Sequence, residues 1–156
     1  MVKKYSLIIA FYTADLLQLF ITFANYKYNY LMAKRKKKVD TSDFLTEIII
    51  KGIQEKKGKK IVSLNLKNIQ YAVTDYFIVC HGTSTTQVQA IAKSIEDEVR
   101  KAIGLKPWHV EGFQNAEWIL LDYFNVVVHV FQENTRNFYQ IENLWADAEI
   151  IQIEEN

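Results

Sequence analysis

Two apolar runs, residues 117–122 (EWILLD) and 125–131 (NVVVHVF), are separated only by Tyr123-Phe124. So short a connection leaves no room for the crossover that a parallel pair needs, and it predicts an antiparallel hairpin. Side chains alternate along a strand. Trp118, Leu120 and Asp122 therefore share one face of the first run, and Ile119 and Leu121 share the other. One of these faces must be core, and the other must be covered by something.

The rest of the chain has to be built around that hairpin. Phe44, Leu45, Ile48, Ile49 and Ile53 recur at helical spacing behind several cap candidates in residues 40–43. Gly52 weakens this helix, and residues 55–58 (EKKG) end it. Val62, Leu64 and Leu66 alternate with Ser63 and Asn65, which predicts a strand with one wet face. Residues 75–81 form a second strand, with an apolar interior. Thr83 or Ser84 then caps a long helix whose buried stripe is Val88, Ile91, Ala92, Ile95, Val99 and Ala102, and Gly104 stands in its C-cap position. A short strand over residues 108–111 precedes the hairpin. Phe138, Ile141, Leu144 and Trp145 share one face of a last helix, with Phe138 and Trp145 as its anchors. The predicted class is α/β (α+β): a mixed sheet of about five strands flanked by helices. The domain is placed at residues 40–150, with 151–156 as a tail.

Residues 1–31 contain a long apolar stretch, residues 6–24 (SLIIAFYTADLLQLFITFA), interrupted by Asp15. A membrane anchor, a cleaved leader and a stretch lying upstream of a natural start at Met32 all fit it. The third is preferred, because Met32-Ala33-Lys34 opens a basic tail over residues 32–39. No membrane association is expected of residues 32–156.

Charge divides the chain. Residues 1–38 carry eight Lys/Arg and only Asp15, whereas residues 39–156 carry eleven Lys/Arg and seventeen Asp/Glu, a net −6. Binding along a phosphate backbone needs a positive face, so direct sequence-specific nucleic-acid recognition by the domain is not expected. An acidic domain suits a basic protein partner.

Gly82-Thr83-Ser84, between an apolar run and a helical pattern, resembles the start of a nucleotidyltransferase site. Such a site also needs paired carboxylates for magnesium, at alternate positions on a following strand. No Asp-x-Asp or Glu-x-Glu follows in a strand, and Asp122 stands alone. The stretch is better explained as a turn and a helix cap. Cys80 is the only cysteine, and His81, His109 and His129 match no local zinc spacing. The sequence points to no catalytic group, cofactor or metal. A nucleotidyltransferase-like nucleotide-binding protein remains the alternative.

The pieces Thr74-Asp-Tyr-Phe77 before Gly82-Thr-Ser84, Glu111-Gly112, Trp118 with Asp122, Val128-His129-Val130, and Arg136-x-Phe-Tyr139 running into Glu142-x-Leu-Trp145 resemble, in order and spacing, the ribosomal silencing factor family, also called Iojap-like. The likeness covers about residues 40–148. It implies a nucleotidyltransferase-like but non-catalytic fold. It also implies a cytoplasmic protein that binds the large ribosomal subunit through ribosomal protein fourteen. The bound factor would block joining of the small subunit and repress translation when nutrients are scarce. On residues alone Trp118 reads as core. The resemblance assigns Trp118, Ile119 and Leu120 to the partner surface, and extends it to Asp122 and Tyr123. Arg136 is a further candidate, bridging to Glu133 or to an acidic group of the ribosome. The family's hairpin turn usually contains glycine. Here Tyr123-Phe124-Asn125 must find another geometry, and two aromatics are expected to stand exposed beside Trp118. An exposed apolar patch would also favour a homodimer.

Overall fold

The computed structural model describes residues 41–155. The apolar stretch and basic tail before them, and the expectations attached to those segments, lie outside the described residues. Helix α1 (Thr41–Glu55) buries Leu45, Ile48, Ile49 and Ile53, while Phe44 faces outward at 56% exposure. Strands β1 (Lys59–Asn65) and β2 (Tyr76–Gly82) lead into α2 (Thr85–Ile103). Then come β3 (His109–Glu111), β4 (Trp118–Asp122), β5 (Val126–Gln132) and α3 (Glu133–Tyr139). A short 3-10 helix (Ile141–Trp145) and strand β6 (Glu149–Ile153) close the domain.

The six strands lie in the order β3-β4-β5-β2-β1-β6. Only β2 and β5 run parallel, with Tyr76 opposite Val126 and Gly82 opposite Gln132. The other pairs are antiparallel, and the hairpin forms as expected, with Trp118 opposite Phe131 and Asp122 opposite Val127. The two central strands are covered on both faces, which is why their sequences are nearly unbroken apolar runs.

Helices α1 and α2 cover one face over Ile61, Ile78, Cys80, Ile119, Leu121, Val128 and Val130. Ser84 caps α2, its Oγ accepting from the Gln87 amide at 3.2 Å, and Gly104 ends the helix with φ +67°. Ala102, at the foot of the predicted stripe, is exposed. Gly52 has a packing role rather than a merely weakening one. A Cβ there would lie 2.9 Å from Ile95 Cα, so its absence lets the two helices touch. The opposite sheet face carries Val62, Leu64, Phe77, Val79, Val127 and Phe131 beneath the 3-10 helix and the β1–β2 connection.

Three expectations are corrected. The sheet has six strands, not five, because residues 149–153 pair with β1 from Ile61–Ile153 to Asn65–Glu149. The Ser63 face of β1 is not wet, since Ser63 is 5% exposed once the helices pack over the sheet. Lastly, the helical pattern over residues 138–145 does not form one helix. Gln140 takes φ +43° and breaks it, so Phe138 points outward instead of anchoring it. Trp145 does pack, edge-on to Phe77 at 5.4 Å.

Candidate partner-binding surface

The cover over the second sheet face runs out above β4. Trp118 and Leu120 are there half-buried, while Ile119 and Leu121 on the reverse face have no exposure at all. The two faces of the hairpin thus separate by alternation, and Trp118, which residues alone read as core, lies with Leu120 on the less covered side, while Ile119 lies on the buried one. Trp118 lies in an aromatic frame. It stacks on Phe131 at 4.7 Å and 29°, and Tyr139 approaches at 5.3 Å. Its indole Nε1–H donates to His129 Nδ1 at 3.2 Å. Tyr139 in turn touches Phe138 edge-on at 5.0 Å, and Phe138 is 74% exposed. Trp118, Leu120, Tyr139 and Phe138 thus carry an apolar surface from β4 to the end of α3. Glu111, exposed, stands opposite Leu120 in the β3–β4 register, so the β3 side of this surface carries a carboxylate.

Gly112 shapes the approach to β4. With φ +87°, it passes so near the Trp118 carbonyl oxygen that a Cβ would sit 1.9 Å from it. No side chain fits there, which gives the Glu111-Gly112 pair a physical reason.

The other residues expected at this surface turn inward. Asp122 is fully buried at the end of β4, and its Oδ1 accepts from the Phe124 amide at 2.5 Å. This bond supplies the turn geometry that glycine would otherwise provide, and Phe124 itself takes φ +69°. Tyr123 is 4% exposed, and burial pushes its phenol well above the usual range. The expectation of two exposed aromatics beside Trp118 is corrected accordingly. Tyr123 turns into the helix-side core, and Phe124 lies 5.2 Å from Trp108.

Arg136 is 7% exposed and is held from several sides. Its Nη1 donates to the Lys60 carbonyl at 2.7 Å and lies 3.1 Å from His81 Nδ1. Its Nε and Nη2 reach Glu142 Oε1 at 2.8 and 2.6 Å. The expected bridge from Arg136 to Glu133 is thus replaced by one to Glu142. Burial, and next the Arg136 charge, lower the His81 pKa, so a neutral ring can accept from the guanidinium. Ile119, Asp122, Tyr123 and Arg136 cannot offer their side chains to a partner without opening the core. They hold the surface from behind.

Sequence reasoning missed Phe138 and the tie between Trp118 and His129. The Arg136-x-Phe-Tyr139 spacing carried a signal for Tyr139, since a residue three after Arg136 lies on the same helical side. Phe138 had none, because the break at Gln140 decides its direction.

The turn over residues 82–84 is internally satisfied. Thr83 donates from its amide and its Oγ1 to Gln87 Oε1 at 2.8 and 2.9 Å. Gln87 Nε2 donates to the Lys56 and Lys57 carbonyls at 3.0 and 3.1 Å. The Thr83 amide, which a phosphate-binding turn would offer, is thus already engaged. Cys80 is buried, and its thiol is pushed up to about 12 by that burial. Among the described residues, no group of three His, Cys, Asp or Glu is placed to hold a metal ion, and no helix is long and apolar enough to cross a membrane.

Residues 39–156 match the protein family described as ribosomal silencing factor during starvation. The chain belongs to that family. It is 38% identical over 110 residues to Ribosomal silencing factor RsfS of Halalkalibacterium halodurans, covering 70% of this chain and 92% of that protein. Identity and coverage are the same for Ribosomal silencing factor RsfS of Bacillus subtilis. Protein Iojap, chloroplastic, from Zea mays is 30% identical over 108 residues, 67% of this chain and 45% of that one. Two solved structures share the ribosomal silencing factor fold seen here. A crystal structure of a Chromobacterium violaceum protein superposes with a TM-score of 0.63 at 33% identity, over 67% of this chain and 85% of that chain. One from Bacillus halodurans gives 0.60 at 35% identity, over 72% and 98%.

Proposed function

We propose that this chain acts in the cytoplasm as a ribosome silencer that works by occupancy. It docks on the large ribosomal subunit through ribosomal protein fourteen, keeps the small subunit from joining, and lowers translation when nutrients are limiting. No bond is made or broken in this process, so the protein is not an enzyme.

The observation that carries the proposal is the half-buried Trp118–Leu120 face, with Tyr139 and exposed Phe138 beside it and Glu111 at its edge. A large aromatic buries much area with little loss of rotamer freedom, so Trp118 suits the centre of such a contact. The Glu111 carboxylate, on a domain of net charge −6, would steer a basic ribosomal protein toward it. Trp118 and Leu120 make the contact. Ile119, Asp122, Tyr123 and Arg136 fix the strand, the turn and the helix that present it.

Co-sedimentation of the full chain with isolated large subunits tests this, with small subunits added in a second step. The normal protein is expected to pellet with large subunits and to reduce joining. A folded Trp118→Ala variant should do neither. Equal binding by that variant would move the contact elsewhere. No binding by the normal chain would end the silencing proposal.

A further inference from the structure

We propose that His129 is a positioning residue for docking: it holds the Trp118 indole in the one orientation that the partner meets. The inference rests on the docking role of Trp118 and adds a residue that never touches the partner.

The indole N–H can only donate, so the contact at 3.2 Å makes His129 Nδ1 the acceptor. A neutral ring must then carry its proton on Nε2. Burial lowers the His129 pKa to about 3, so the acceptor persists through the neutral and mildly acidic range. His129 is 3% exposed, and Phe77 packs edge-on against it at 4.9 Å, so the ring cannot swing away from the indole. Its Nε2 has no hydrogen-bond partner among the described residues. Leaving a buried polar atom unsatisfied is costly, and an aliphatic residue would fill this strand position without that cost. The bond to Trp118 is what a ring nitrogen supplies at this position.

Trp118 is the first residue of β4 and is only half-buried. Stacking on Phe131 allows an indole to slide or flip about its plane, but a fixed acceptor at one ring edge does not. Holding one rotamer before contact removes ordering that would otherwise oppose binding. His129 and Trp118 are diagonal neighbours across β4 and β5, since Leu120 is the residue directly opposite His129. The hairpin register therefore builds the pair into the sheet.

The test separates positioning from packing by using two substitutions that rank oppositely on each scale. His129→Asn keeps an acceptor at the δ position but fills the core poorly. His129→Leu fills it well but removes the acceptor. Full-length proteins are compared for binding to isolated large subunits, for unfolding midpoint, and for the 15N indole resonance of Trp118, assigned by its absence in Trp118→Phe. Positioning predicts that the Leu variant is at least as stable as the Asn variant yet binds roughly tenfold more weakly than the normal chain. The Asn variant should stay within about threefold of it, on the same scale. In the Leu variant the Trp118 indole resonance should move or broaden.

Trp118→Phe keeps a ring but has no N–H. Combining it with His129→Leu should weaken binding no more than the larger single change does. Affinity that follows stability alone, an unchanged Leu variant, or additive losses in that pair would each overturn the proposal. Undiminished binding by Trp118→Ala would remove the docking role itself, an outcome distinct from failure of the His129 step.

Discussion

Arg136 closes a loop of 76 residues by donating to the carbonyl of Lys60 at 2.7 Å, while Glu142 takes its other side. Lys60 has φ +44°, and the β1–β2 register shifts between Lys59 and Val62. The guanidinium thus ties a bulge at the start of β1 to α3 and the 3-10 helix. Removing one partner of a buried ion pair strands the other. Arg136→Ala is expected to cost about 3 kcal/mol, and Arg136→Lys should restore little, because an ammonium cannot reach Glu142 and the Lys60 carbonyl in the same fork. Urea unfolding measures both. An unchanged midpoint would show that Arg136 is free to serve a partner directly.

Acid should weaken the fold through its buried histidines. His129 titrates at about 3 when folded and near 6.5 when unfolded, and His81 is also lowered. The unfolded chain therefore binds more protons in this window. Stability is full above the unfolded pKa and falls as pH drops from about 6.5 toward 3. One such group lowers stability by about 1.4 kcal/mol per pH unit, so His129 accounts for about 2 kcal/mol between pH 6.5 and 5. Unfolding midpoints across that range should show the decline, and His129→Asn should make it shallower. A flat profile in the normal protein would contradict the burial of His129.

Gly52 sets two effects against each other. Alanine in a helix interior gains about 1 kcal/mol over glycine from propensity alone. Here the added Cβ would stand 2.9 Å from Ile95 Cα and 3.1 Å from its amide nitrogen. Both are backbone, so relief requires the helices to part, and overpacking of this kind costs about 1–3 kcal/mol. The clash is expected to win, leaving Gly52→Ala less stable than the normal chain by thermal unfolding. A gain in stability would mean that α1 and α2 separate easily.

Much of this architecture could be read from local chemistry, and the remainder depended on distant partners. The hairpin followed from a two-residue connection, and α2 from its apolar period, Ser84 and Gly104. These signals act within a few residues. Strand β6 had no such signal. EIIQI is a strand because β1, more than eighty residues earlier, offers it an edge, with Asn65 bonded to Glu149 at 3.2 Å. The break at Gln140 was equally hidden, since no glycine marks its left-handed backbone. At the candidate surface, alternation correctly separated Trp118 and Leu120 from Ile119 and Leu121. Which face stays open depends on how far the 3-10 helix reaches across the sheet, a tertiary fact. Asp122 shows the limit of the rule. Alternation places it with Trp118, yet the turn it braces draws it inside.

Phe138 offers the sharpest separation of surface from core. At 74% exposure, with Tyr139 as its aromatic neighbour, it contributes little to folding. Phe138→Ser should leave the unfolding midpoint within about 0.5 kcal/mol of normal, the usual range for a surface change. If the apolar surface continues from Trp118 through Tyr139 to the end of α3, the same change should weaken large-subunit binding, by less than Trp118→Ala because Phe138 lies at the rim. Titrating both variants against isolated large subunits decides the matter. Normal binding by Phe138→Ser with lost binding by Trp118→Ala would confine the contact to β4. Equal losses would place α3 as deep in the contact as the strand.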